Sequence, residues 1–136
     1  MTDLETWLNL TVEDPIDPDL PICDSHHHLW DRPNDRYLLN DLLQDTGSGH
    51  NIVNTVFIEC GAMYRNKGPE EFKPVGETEF VQGISDQCAI GENTSTSIAA
   101  GIVSHANLTL SDAVAPVLEA HMAASKNRFR GIRHIT

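Results

Sequence analysis

Short runs that are apolar on both faces alternate along this chain with longer runs that are apolar along one stripe, and few folds bury both kinds at once. Asn51 to Cys60 carries Ile52, Val53, Val56, Phe57 and Ile58, the β-branched and aromatic content of a strand covered from both sides. Ser97 to Ser104, with Ile98, Ala99, Ala100, Ile102 and Val103, repeats that character. Leu20 to His28 and Arg128 to Ile135 are further strand candidates at either end. Helical stripes separate them: Leu38, Leu39, Leu42 and Leu43 in Tyr37 to Asp45, then Phe80, Val81 and Ile84 in Glu77 to Ala89. Ser111 to Ser125 follows with Val114, Val117, Leu118 and Met122, its main helix starting at Pro116 because proline suits a first turn and not an interior. Asp31 to Asp35 reads as a turn, and Gly61 to Gly76, with Pro69 and Pro74, as a long polar loop.

Strand and helix thus alternate three times before a last strand, which predicts an α/β fold of parallel strands joined by right-handed crossovers. A closed (β/α)8 barrel takes about 250 residues, roughly 30 per unit. Three and a half units behind a short arm match 136 residues, so the expected fold is the first half of a TIM-type barrel, the chain ending after strand four. Residues 1–21 form the arm, predicted to be extended or turned because Asp14, Asp17 and Leu20 each precede a proline. Residues 22–136 form the partial barrel. A small open doubly wound sheet also fits the length, but no glycine-rich phosphate loop follows the first strand.

Charge narrows the partners. Twenty acidic against nine basic residues give a net charge of -11, which repels phosphate backbones and anionic lipid, so neither nucleic acid nor membrane is an expected partner. No window reaches the roughly 20 apolar residues of a membrane span, and the acidic start has no signal core. The expected location is cytoplasmic. Cys23, Cys60 and Cys88 are odd in number and set among apolar neighbours, as reduced, buried thiols are. Oligomeric state is not legible in the sequence.

His26, His27 and His28 follow Asp24 at the end of the first strand candidate. Side chains alternate along a strand, so Asp24, His26 and His28 share one face and Ser25 and His27 the other. Imidazole is the commonest protein ligand for transition metals, and two of them two residues apart can grip one ion from the same side.

Asp24-Ser25-His26-His27-His28-Leu29-Trp30 resembles the opening motif of the amidohydrolase superfamily, specifically the amidohydrolase 2 branch of metal-dependent hydrolases with TIM-barrel fold. Ser48 to Asn51, Val56 to Cys60, Pro74 to Phe80, Gly101 to Ala106 and Phe129 to His134 resemble that branch in the same order and spacing, so the likeness runs from about Pro15 to Thr136. The resemblance implies a (β/α)8 barrel in which His26 and His28 are metal ligands and His27 is not. It implies a divalent cofactor, zinc or manganese, although some lactonase relatives work without one. In that family the remaining ligands and the general base lie on strands five, six and eight, so no residue here takes those roles. The implied activity is hydrolysis of a lactone, amide or related carbonyl of a small-molecule substrate. The alternatives are non-oxidative decarboxylation, found in the same branch, and a catalytically inactive truncated fragment whose exposed last strand would favour self-association.

Substrate-binding candidates are Glu59, ending the second strand, and Arg133 and His134, ending the fourth, where a guanidinium could clamp a carboxylate through two hydrogen bonds. Asp24 is expected to orient the site or the strand. His105, ending the third strand, is ambiguous. His50 at the start of strand two and His121 on a helical flank read as structural or solvated, Trp30 as packing, and the Gly61 to Gly76 loop as a possible wall of the pocket.

Overall fold

A computed structural model describes residues 2–91 and 95–135; Met1, residues 92–94 and Thr136 lie outside the described residues. The elements are α1 (Asp3–Leu8), β1 (Pro21–His27), β2 (Trp30–Arg32), β3 (Asp35–Tyr37), α2 (Leu39–Thr46), β4 (Asn51–Ile58), α3 (Val75–Ile90), β5 (Ser97–Ser104), α4 (Ala115–Ala124) and β6 (Phe129–Ile132), with 3-10 turns at Glu70–Phe72 and Leu108–Val114. One sheet has the order β1-β4-β5-β6 with every pairing parallel, while β2 and β3 form a separate antiparallel hairpin.

The expected half-barrel is therefore corrected to a small α/β domain with an open four-stranded sheet beside a hairpin. Unit length could not separate the two. An open parallel sheet needs the same strand-helix-strand crossover as a barrel, so roughly 30 residues per unit is common to both.

Helical cover also differs from what doubly apolar strands suggested. Phe57, Ile98 and Ile102 pack with Leu29, Leu39, Leu42 and Val81 in one buried cluster joining the sheet to α2 and α3, while Val56, Ile58 and Val103 on the alternate positions stay half-exposed. Val75, Ala106 and Val117 form a second cluster, under α4.

Local starts and stops follow from short-range chemistry. Asp41 accepts the Leu38 N–H at 2.9 Å and opens α2. Pro116 falls in the first turn of α4, as its missing N–H requires, with the 3-10 turn before it. Gly76 begins α3 against the preceding loop, where a Cβ would stand 2.6 Å from both Arg65 N and Met63 O, so only glycine fits. Asn34, at φ 62°, turns the β2–β3 hairpin, whose strands of three residues each are too short to carry an alternation. The arm is not extended throughout, since the proline effect acts only on the residue before each ring and leaves Asp3–Leu8 free to coil into α1. Of the three free thiols only Cys88 is buried; Cys23 is exposed and Cys60 half-buried. Among the described residues no helix is long and apolar enough to cross a membrane.

His121, expected on an exposed flank, is fully buried in α4. Its Nε2 donates to the His105 carbonyl at 3.0 Å, its Nδ1 meets Thr78 Oγ1 at 2.8 Å, and its ring stacks on Phe129 at 5.4 Å. Three partners on three elements outweigh the polarity of the ring. Burial lowers its pKa, and burial likewise lowers that of His27.

Both rings are thus held neutral when folded, whereas the unfolded chain takes up those protons near pH 6.5. Their contribution to stability is complete above that pH and is lost as pH falls below it. Glu77, whose carboxyl burial pushes up, acts in the opposite direction as pH rises and offsets part of this. Urea unfolding should show a lower midpoint at pH 5.5 than at pH 7.5, and the gap should narrow in His121→Gln. An unchanged gap in that variant would assign the acid sensitivity elsewhere.

Candidate active site

In an open parallel sheet, ligands gather beyond the carboxyl ends of the strands. Here His26 lies near the end of β1 and His28 just past it, Glu59 follows β4, His105 follows β5, and Arg133 and His134 follow β6. The sequence therefore placed its site candidates on one rim, and the fold brings them there from four strands.

β1 leaves the regular ladder near its end. Asp24 pairs with Thr55 and His27 with Phe57, three steps on one strand against two on the other, so one residue is extra and the strand bulges. Asp24 Oδ1 accepts the His26 N–H at 3.1 Å and braces that bulge, so it orients the strand and not a ring. His27 turns into the core, edge-on to Phe57, with its Nε2 2.9 Å from Thr55 Oγ1. His26 and His28 emerge on the other side. Their Nε2 atoms stand 3.2 Å apart with the rings nearly perpendicular.

His28 Nδ1 lies 2.7 Å from the Ile58 carbonyl, which can only accept. The Nδ1 proton is thereby fixed, and in the neutral ring Nε2 carries a bare lone pair aimed at His26. Two nitrogens bound to one tetrahedral zinc at about 2.0–2.1 Å stand roughly 3.3 Å apart. The observed separation fits that chelate, and equally fits a His26 N–H donated to His28. Among the described residues no group of three or more His, Cys, Asp or Glu side chains is placed to hold a metal ion.

Arg133 does not offer a free fork. Its Nε donates to Glu59 Oε1 and its Nη2 to the Glu59 carbonyl oxygen, each at 2.7 Å, while Glu59 is only 7% exposed. The two residues proposed separately for substrate thus engage each other. His105 Nδ1 lies 3.2 Å from the Arg133 carbonyl, His134 Nδ1 accepts the Leu108 N–H at 3.2 Å, and the two rings meet edge-on at 5.4 Å. His50 precedes β4 at the opposite end of the sheet, and Trp30 stacks on Tyr37 in the hairpin at 5.3 Å.

Glu77 was not singled out from the sequence. It is fully buried in the first turn of α3, and its Oε1 accepts the N–H groups of Cys60 at 3.0 Å and Ala62 at 2.7 Å. It thereby pins the backbone that follows Glu59. An acidic residue in a first helical turn after a proline suggests only a partner for the helix dipole, so the sequence signal was present but pointed elsewhere. Burial, with the Glu77 charge behind it, pushes the Cys60 thiol up to about 11 and the Tyr64 phenol up to about 12, so both stay protonated at neutral pH.

The chain is 30% identical to an uncharacterised protein, y4mH, of Sinorhizobium fredii (strain NBRC 101917 / NGR234) over 137 aligned positions, covering 85% of this chain and 40% of that protein. It spans about two fifths of the length of the curated relative it matches. No family model and no solved structure matches the chain.

Replacing Arg133 by Met should expose the cost of an unpaired carboxylate at Glu59. With the arginine side chain one-third exposed, the loss is discounted to roughly 1–3 kcal/mol. Chemical denaturation of Arg133→Met, Glu59→Gln and the double variant should give a double-variant loss well below the sum. Simple additivity would show that the pair is not coupled.

Proposed function

We propose that this chain contributes the metal-gripping rim of an amidohydrolase-like, metal-dependent hydrolase that acts on a lactone, amide or related carbonyl of a small molecule. The observation that carries the reading is the convergence of His26 Nε2 and His28 Nε2 to 3.2 Å with the His28 tautomer set by the Ile58 carbonyl. Sharing of residues 24–30 with the opening motif of that superfamily supports it. His26 and His28 would hold a divalent ion, zinc or manganese. When bound, such an ion polarises a carbonyl and lowers the pKa of water.

The chain's own residues prepare the place. The Ile58 carbonyl keeps the His28 ring turned outward, and Asp24 holds the bulge that lets His26 meet it. Glu59 and Arg133 together present a neutral, rigid wall beside them, with His134 next along the rim. Where His26 donates Nε2–H to His28, entry of a cation would need that proton to move to His26 Nδ1, which frees the second Nε2 lone pair.

Titration calorimetry with zinc chloride should show one site per chain at pH 7.5. His26→Ala and His28→Ala should each weaken it by at least roughly tenfold, about 1.4 kcal/mol, while His27→Gln should not. Equal zinc uptake by all three variants would remove the basis of this reading.

A further inference from the structure

A recess of about 600 Å³ opens between the loop that carries Tyr64, Glu70 and Glu71, the segment after β5 that carries His105 and Asn107, and His134 after β6. No Lys or Arg side chain lines it among the described residues. Arg133, on the neighbouring rim, has its Nε and Nη2 committed to Glu59. An anionic group entering here would lose its water and meet two carboxylates, one of them, Glu70, paired with Lys73 at 2.5 Å.

The polar atoms that remain have defined roles. His105 Nδ1 donates to the Arg133 carbonyl, so in the neutral ring its Nε2 is an acceptor. His134 is the reverse tautomer, because its Nδ1 accepts the Leu108 N–H and leaves Nε2–H to donate. Asn107 spends Oδ1 on the N–H and the hydroxyl of Thr109, at 3.0 and 2.7 Å, which leaves its amide NH₂ as a donor. Glu71 adds acceptors, and Tyr64 adds a hydroxyl beside a ring face. The lining therefore offers both donors and acceptors. An ammonium group, which only donates, would leave His134 Nε2–H and the Asn107 amide unserved. A hydroxyl both donates and accepts, and several on one ring satisfy the whole set.

We propose that this recess is a binding site for an uncharged polyhydroxy ring. On the reading under Proposed function it would hold the part of the substrate that does not react. The binding itself does not depend on that reading.

The test uses the full chain with excess EDTA, following the imidazole ring resonances of His105 and His134 by NMR. Probes are myo-inositol, D-glucose and D-xylose, with sodium benzoate and choline chloride as the anionic and cationic comparisons. Saturable shifts at both rings with at least one of the three neutral probes, and none with the two ions, are the expected result. His134→Gln and Asn107→Ala, with folding checked by circular dichroism, should weaken that binding roughly tenfold. No saturable shift from any neutral probe, or a stronger response to benzoate or choline, overturns the proposal. Zinc added to an EDTA-free sample is read at His26 and His28 instead, so failure of the metal site and failure of the recess are separate outcomes.

Discussion

Ladder hydrogen bonds hold each strand to its neighbour, but the rim also depends on a contact that skips a strand. Glu59 directly follows β4 and Arg133 directly follows β6, with β5 between those strands, and the guanidinium binds the Glu59 carboxylate and the Glu59 main-chain carbonyl together. Burying a carboxylate is costly unless it is paired and hydrogen-bonded, and a planar fork supplies two bonds in one orientation where an ammonium supplies a point charge. The consequences pass along the chain. With Arg133 fixed, its carbonyl is where His105 Nδ1 finds an acceptor, and His134 is placed to take the Leu108 N–H. The hydrogen-bonding roles of two ring nitrogens thus follow from one ion pair on the rim.

How much of this was legible in the residues varies with the range of the interaction. Nearest-neighbour signals read well. The apolar runs at 51–60 and 97–104 lie over β4 and β5, the break before Pro116 separates a 3-10 turn from α4, and the alternation of His26, His27 and His28 puts the outer rings together and the middle one into the core. Long-range partners did not read. His121 sits on a stripe whose polarity suggests solvent, yet Thr78, the His105 carbonyl and Phe129 surround it from elsewhere in the chain. Arg133 and Glu59 each resembled a group waiting for a ligand because their mutual contact spans 74 positions. Whether the sheet closes was equally hidden, since crossover length is set by one strand-helix-strand unit and closure by how many strands meet.

A similar logic explains why the helices pack on the sheet in one register only. Ser104, Thr78 and His121 form a continuous buried chain of hydrogen bonds from the end of β5 through α3 to α4, finishing on the His105 carbonyl. With His121 neutral and donating from Nε2, Nδ1 must accept the Thr78 hydroxyl, whose oxygen then accepts from Ser104. Every member is satisfied only when all the members are in place. Such a network adds little net stability relative to an apolar core, but it penalises any slide of α4 along α3 by leaving buried groups unpaired.

Histidine content alone therefore says little about chemistry in this protein; what each second ring nitrogen meets decides the role. His121 has both nitrogens bonded inside the core and can neither bind a ligand nor take a proton without disrupting its partners. His28 has one nitrogen bonded to a carbonyl and the other directed at a second imidazole, an arrangement that leaves a lone pair in a position a cation can reach. His105 and His134 have one nitrogen each on the main chain and opposite tautomers, so they offer an acceptor and a donor side by side. The main-chain carbonyls and amides at the strand ends are what sort these rings into a core brace, a facing pair and a polar recess. They do so because a backbone carbonyl can only accept and a backbone amide can only donate.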